Sequence, residues 1–161
     1  TGLTEAGIVS DAVKSPDLRF YPVAKDHLML IVHPKHRLAT KGSVQFSEVI
    51  LEPFVGLASG NALQEHIEDR ARSAGHLIKS RIHMKTFAGL CEMVGHGIGV
   101  GIVPESIAVQ LCPATCIALP LTDEWARRQL CACFRDWNAL SSPMKSLLEH
   151  LGVRLPPHRW R

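Results

Sequence analysis

Apolar and polar positions along the chain change period several times, and each change marks an element. Residues 6–9, 18–23 and 27–32 read as strands. The last of these, His27-Leu28-Met29-Leu30-Ile31-Val32, is an apolar run closed by Pro34, the pattern of a strand buried on both faces. Residues 46–50 make one helical turn, and 53–57 a second short buried strand. Leu63, Ile67 and Ala71 then recur at four-residue spacing and mark one helix face. Asn61 with Gln64 three residues on forms a capping box, and Gly75 is the stop. Residues 78–84 alternate as a strand. Thr86 caps a helix with Phe87, Leu90, Cys91 and Val94 along one side. A short strand at 100–103 leads to Pro104 as the first residue of another helix. A strand at 116–119 follows, and Leu130, Ala132 and Phe134 alternate in a further one. In the closing helix Ser142 caps, Pro143 starts, Met144, Leu147, Leu148 and Leu151 form the stripe, and Gly152 ends it. Residues 156–161 read as a loose tail. Strands alternating with helices give an α/β class with a largely parallel sheet.

Composition narrows the function classes. A chain of 161 residues makes one domain or two small lobes. No run of eighteen apolar residues exists, so no membrane span is indicated. The net charge of +3 is spread out, and the densest basic cluster, residues 33–37, is a short loop, not a nucleic-acid footprint. One Tyr and three Trp are too few for a base-stacking platform. The start, Thr1-Gly2-Leu3-Thr4-Glu5, has no initiator Met and no apolar leader, as if the chain began inside a domain.

Five cysteines without a signal peptide argue for reduced thiols and a cytoplasmic compartment. Cys112-x3-Cys116 and Cys131-x-Cys133 have the look of metal pairs. The reading taken for all five, Cys91 included, is that of buried small hydrophobes, with no metal and no cofactor. The histidines are dispersed and read as surface residues.

Residues 93–106 place glycines at 95, 97, 99 and 101. A dinucleotide loop needs G-x-G-x-x-G after a strand and before a helix. Here position six is Val100 or Ile102, and the helix comes first. Nor is there a Gly-Lys-Ser/Thr for a phosphate loop. Instead Gly97 ends a helix in a left-handed conformation, and Gly99 and Gly101 let the next strand pass close to its neighbours or to a ligand. Ser59-Gly60-Asn61 stands between a strand and a helix N-terminus. It either caps that helix and nothing more, or aims free N–H groups at an anion.

The stretch 93–104, Met-Val-Gly-His-Gly-Ile-Gly-Val-Gly-Ile-Val-Pro, resembles the helix–Gly–strand–Pro signature of the effector-binding domain of LysR-type transcriptional regulators. The stretches 33–39, 46–55 and 140–143 are similar in order and spacing, and 6–9 resembles the strand after the family's G-x-x-D turn, with Glu5 where Asp is usual. The resemblance reaches to about Leu151. It implies a fold like that of type 2 periplasmic binding proteins: two α/β lobes with largely parallel or mixed sheets, the first lobe incomplete. The divisions are 1–36 (remainder of the first lobe), 37–119 (second lobe), 120–152 (return segment and C-terminal helix) and 153–161 (tail). The family's winged helix-turn-helix would lie before Thr1, together with two βα units of the first lobe, which makes this an N-terminally truncated domain.

The resemblance also implies a small-molecule effector, a carboxylate or an aromatic metabolite, held by Ser59, Gly60 and Asn61, with Thr86 and Phe87 beside it and Gly101 and Ile102 approaching it. Homo-oligomers are implied for the full-length protein, and contact with DNA only through the absent N-terminal domain. Two other readings compete. A solute-binding protein of a transport system shares the fold but requires export. An enzyme would have to use Cys91, with His96 five residues on, and no triad or paired-carboxylate spacing supports it.

Overall fold

A computed structural model describes residues 4–10, 15–112 and 114–154. The tail expected at 156–161 lies outside the described residues. The chain divides into two compact units, Thr1–Asp26 with Arg128–Arg161, and His27–Arg127.

The discontinuous unit is built on three strands. β1 (Ala6–Ser10) pairs antiparallel with β7 (Arg127–Phe134), Ala6 opposite Phe134 and Ser10 opposite Leu130. On its other side β7 neighbours β2 (Arg19–Val32). Arg128 and Asp26 form an ion pair with both side chains mostly buried. The α5 helix (Ser142–His150) follows a single 3₁₀ turn. Its core is small: Ala132, Phe134, Leu140, Leu148 and Val153, with Tyr21 stacked on Phe134 at 5.3 Å between ring centroids.

Two expectations are corrected in this unit. Residues 18–23 and 27–32 are not separate strands. β2 is continuous, and Lys25-Asp26, which look like a polar break, stay extended because Asp26 is satisfied by Arg128. The N-cap of α5 is Ser141, one residue before the expected Ser142. Its N–H and hydroxyl both donate to the Glu5 carboxylate, at 3.1 and 2.8 Å. Those bonds hold the Glu5 carboxyl below its ordinary value.

The continuous unit carries the larger core. The last residues of β2 lie between β5 (Gly101–Pro104) and β6 (Ile117–Pro120), antiparallel to each. Leu28, Leu30, Ile31 and Val32 are fully buried there, as an apolar run flanked on both sides should be. β3 (Pro53–Leu57) pairs in parallel with β4 (Lys79–Met84) and meets β5 through the parallel bridge Phe54–Val100. Helices α1 (Phe46–Val49), α2 (Ala62–Ser73), α3 (Phe87–Gly95) and α4 (Glu105–Leu111) complete the unit.

The sheets are therefore mixed. Parallel pairing joins β3 to β4 through the single crossover helix α2, and isolated parallel bridges link Phe54 to Val100 and Val44 to Leu121. β2 pairs antiparallel with both β5 and β6.

The glycine run is explained strand by strand. Gly97 has φ +76° and closes α3. A Cβ on Gly99 would stand 2.6 Å from the Pro53 carbonyl oxygen, and one on Gly101 2.6 Å from Leu90 Cδ2. These glycines serve backbone-to-backbone and strand-to-helix packing. Pro104 is the N-cap of α4, so the helix starts at Glu105, one residue later than expected.

Candidate functional site

At the carboxyl end of β3 the chain leaves the sheet through Ala58, Ser59 and Gly60. Gly60 takes φ +86°, a conformation open to glycine at no steric cost. Asn61 is extended and caps α2. Its Oδ1 accepts the Leu63 and Gln64 N–H groups at 2.9 and 3.2 Å. One strand over, β4 leaves the sheet at the same end through Lys85. Thr86 caps α3, its Oγ1 accepting the Gly89 N–H at 3.1 Å. The two exits are tied together, because the Ala58 N–H donates to the Met84 carbonyl at 2.9 Å. Two helix N-termini, each with first-turn N–H groups that have no intrahelical partner, thus start side by side at the carboxyl ends of adjacent parallel strands.

Ser59, Gly60 and Thr86 are exposed, and Asn61 and Phe87 are half-buried. The structure brings these residues to one edge. Gly101 and Ile102 stand elsewhere. Both are buried in β5, opposite Ile31 and Leu30, and Gly101 packs under Leu90 and Val94 of α3.

The capping box expected from Asn61 and Gln64 is half right. Asn61 caps, but the Gln64 side chain does not return to it. Gln64 is buried, accepts the Leu57 N–H at 2.9 Å, and donates to Glu68 at 2.8 Å. It is a strut from the helix back to the last residue of β3, so it fixes where the 59–61 turn begins. Only its place on the inward side of α2 hinted at this. The neighbouring Gly56 leaves room for that strut: a Cβ there would lie 3.1 Å from Gln64 Oε1 and 3.0 Å from both Ser80 Oγ and the His83 ring. Lys85, the exposed cation between β4 and Thr86, was also not singled out by spacing.

The cysteines expected as small hydrophobes are all buried. Burial raises the Cys91 thiol above its ordinary value, which disfavours the thiolate that a nucleophile requires. Among the described residues no helix is long and apolar enough to cross a membrane.

Comparison with known proteins agrees with this architecture. The family model for the LysR substrate binding domain matches residues 1–155. The uncharacterized HTH-type transcriptional regulator YwbI of Bacillus subtilis is 29% identical over 149 residues, 92% of this chain. The chain spans 50% of that regulator's length. Among solved structures, the regulatory domain of Synechocystis CcmR in complex with 2-PG superposes with a TM-score of 0.74 at 16% identity, over 92% of this chain and 72% of that one. Full-length CbnR complexed with its target DNA gives 0.72 at 14% identity, over 92% and 51%. At such identities the superpositions speak for the fold.

Proposed function

The chain belongs to the LysR substrate-binding-domain family, and on that premise we propose that it is the effector-sensing part of a LysR-type transcription factor and performs no chemistry of its own. The observation that carries this reading is the pair of capped helix N-termini joined through Ala58 and Met84. Ser59, Gly60 and Asn61 form one side of the effector site, and Thr86 and Phe87 the other. A carboxylate fits there. Its charge is favoured by two positive helix ends, and its oxygens accept backbone N–H and hydroxyl donors without a charged side chain. Lys85 adds a nearby positive charge that draws anions in. Gly101 supports the site by seating α3 on β5, while Ile102 is buried in the core opposite Leu30.

The structures carrying the same fold include a regulatory domain in complex with 2-PG and a full-length regulator on its target DNA. On this reading the bound effector shifts the population of domain arrangements, and a winged helix-turn-helix elsewhere in a full-length cytoplasmic oligomer passes this to DNA.

The test is a calorimetric screen of small mono- and dicarboxylates against the full-length protein, with mobility-shift assays on promoter DNA with and without the hit. Asn61→Ala and Thr86→Ala are expected to weaken effector binding by about tenfold, the equivalent of one charge-assisted hydrogen bond. Unchanged affinity in both variants would move the site away from these turns.

A further inference from the structure

The chain passes between its two units twice, at Asp26–His27 and at Arg127–Arg128. The first passage lies inside the continuous strand β2. The second is approached through a short segment between β6 and β7 that is fastened along most of its length. Thr122 donates its N–H and its hydroxyl to the Val44 carbonyl, at 2.9 and 3.3 Å. Asp123 accepts the Phe46 N–H at 2.7 Å and so satisfies the first donor of α1. A single 3₁₀ turn, Glu124–Ala126, then sets Trp125 against α1 and α2.

Three side chains grip that half-buried indole. The Phe46 ring of α1 meets it edge-on, at 5.1 Å between centroids and 84° between planes. The His66 ring of α2 does the same at 5.4 Å and 73°. Arg70, one helical turn beyond His66, holds its guanidinium carbon over the indole, 5.8 Å from the ring centre. Filling space does not ask for this arrangement. A leucine would pack under α2, but only an aromatic face attracts the Arg70 cation and gives two further rings an edge-to-face fit. Arg70 is itself exposed, so its place over the ring is not a by-product of core burial.

We propose that Trp125 is the positioning residue through which α2 acts on the second passage between the units, so that binding at the 59–61 turn is passed on through this ring. The proposal rests on the effector reading of that turn. Helix α2 starts at the turn and is one hydrogen-bonded rod of 12 residues. At about 1.5 Å per residue, His66 and Arg70 lie about 8 and 14 Å along it from Asn61. A charge that pulls on the N-terminus therefore acts on the same rod that Trp125 holds further along. The turn and the ring bias one element, which is the physical requirement for coupling between separate places. Phe46 anchors the ring to α1, while Thr122 and Asp123 keep the passage from shifting independently of it.

The experiment uses the full-length protein and places the carboxylate in the turn by substitution. Asn61→Asp keeps a good N-cap and adds one negative charge at the start of α2. With 5-fluorotryptophan incorporated, the fluorine resonance of Trp125 is assigned by its loss in Trp125→Phe. It should shift in Asn61→Asp, while that of Trp137, in the other unit, stays in place. Mobility shifts on promoter DNA should show an affinity changed about fivefold by Asn61→Asp, the low end of typical coupling between sites. In the Trp125→Leu background that change should vanish. Arg70→Gln should reduce it to about twofold with an unchanged urea midpoint, a separation that a merely structural role for the cluster does not produce. If Trp125→Leu fails to fold, Arg70→Gln decides the matter. A Trp125 resonance that Asn61→Asp leaves in place would overturn the proposal. So would a promoter affinity that Asn61→Asp leaves unaltered, or one that it alters equally with and without Trp125→Leu or Arg70→Gln. The effector reading stands or falls separately, on whether any carboxylate binds in calorimetry, so the two failures are distinguishable.

Discussion

At the scale of single residues, space and protonation decide what each position tolerates. Gly99 and Gly42 make a matched pair: a Cβ at Gly99 meets Pro53 backbone at 2.6 Å and Phe54 backbone at 3.0 Å, whereas one at Gly42 meets nothing within 4 Å. Backbone cannot rotate away as a side chain does, so Gly99→Ala must push β5 off β3. The expected loss is about 2–3 kcal/mol, read as a lower urea midpoint with an unchanged slope, while Gly42→Ala stays within about 0.5 kcal/mol. The buried thiols make a second prediction, in pH. Cys112 and Cys116 are pushed up to about 12 and about 11, so above pH 9 the unfolded chain gives up protons that the folded one keeps. The native state then binds more protons than the unfolded state, and stability must fall as pH rises through that window. Thermal melts from pH 8 to pH 10.5 should show a decline that is shallower in the Cys112→Ala/Cys116→Ala double variant. Equal declines would assign the alkaline loss to other groups.

At the scale of elements, the sequence is legible wherever an element is specified by its own neighbours. Helix α2 shows its start in Asn61, its face in Leu63, Ile67 and Ala71, and its end in Gly75, all within one short window. The 27–32 strand shows its two-sided burial in the same way. Long-range partners are what the pattern cannot show. The Gln64 side chain turns from Asn61 toward Leu57 because the last N–H of β3 lacks a partner strand at that point, and Glu68 holds the other end. The join of Lys25-Asp26 into one strand depends on Arg128, a hundred residues away. For the candidate site, the turns at 59–61 and 86–87 were legible, since caps are local. That they lie side by side is a fact of the β3–β4 register, and the burial of Gly101 and Ile102 is a fact of packing between β5, β2 and α3. The strut yields its own test. Gln64→Leu keeps the bulk but strands the Leu57 N–H and should cost about 1–3 kcal/mol in chemical denaturation. Gln64→Glu retains an acceptor for that N–H but faces Glu68, so it should recover much of the loss only in the Glu68→Gln background. If Gln64→Leu is as stable as the parent, the strut is not what holds the turn.

At the scale of the whole molecule, the two units differ in how they are assembled. His27–Arg127 is one continuous segment with its own large core, from Leu28 to Ala126. The other unit joins two distant segments around five buried hydrophobic residues, with Tyr21, Trp137 and Met144 packed on them. Bringing residues 1–26 to residues 128–161 closes a long loop, and that entropy is offset only by a small core. Folding of 27–127 shortens the effective loop, so the discontinuous unit should depend on the continuous one and not the reverse. Local stability is then expected to be unequal. Amides of β7 and α5 should exchange with deuterium well before those of Leu30, Ile31 and Val103, at denaturant concentrations below the main transition. Limited proteolysis should clip α5 first and leave a product spanning about residues 27–127. That segment expressed alone should keep a cooperative melt, because every buried partner in its core lies within it. Uniform protection across both units, with the 27–127 segment unfolded in isolation, would mean that the chain folds as a single cooperative body.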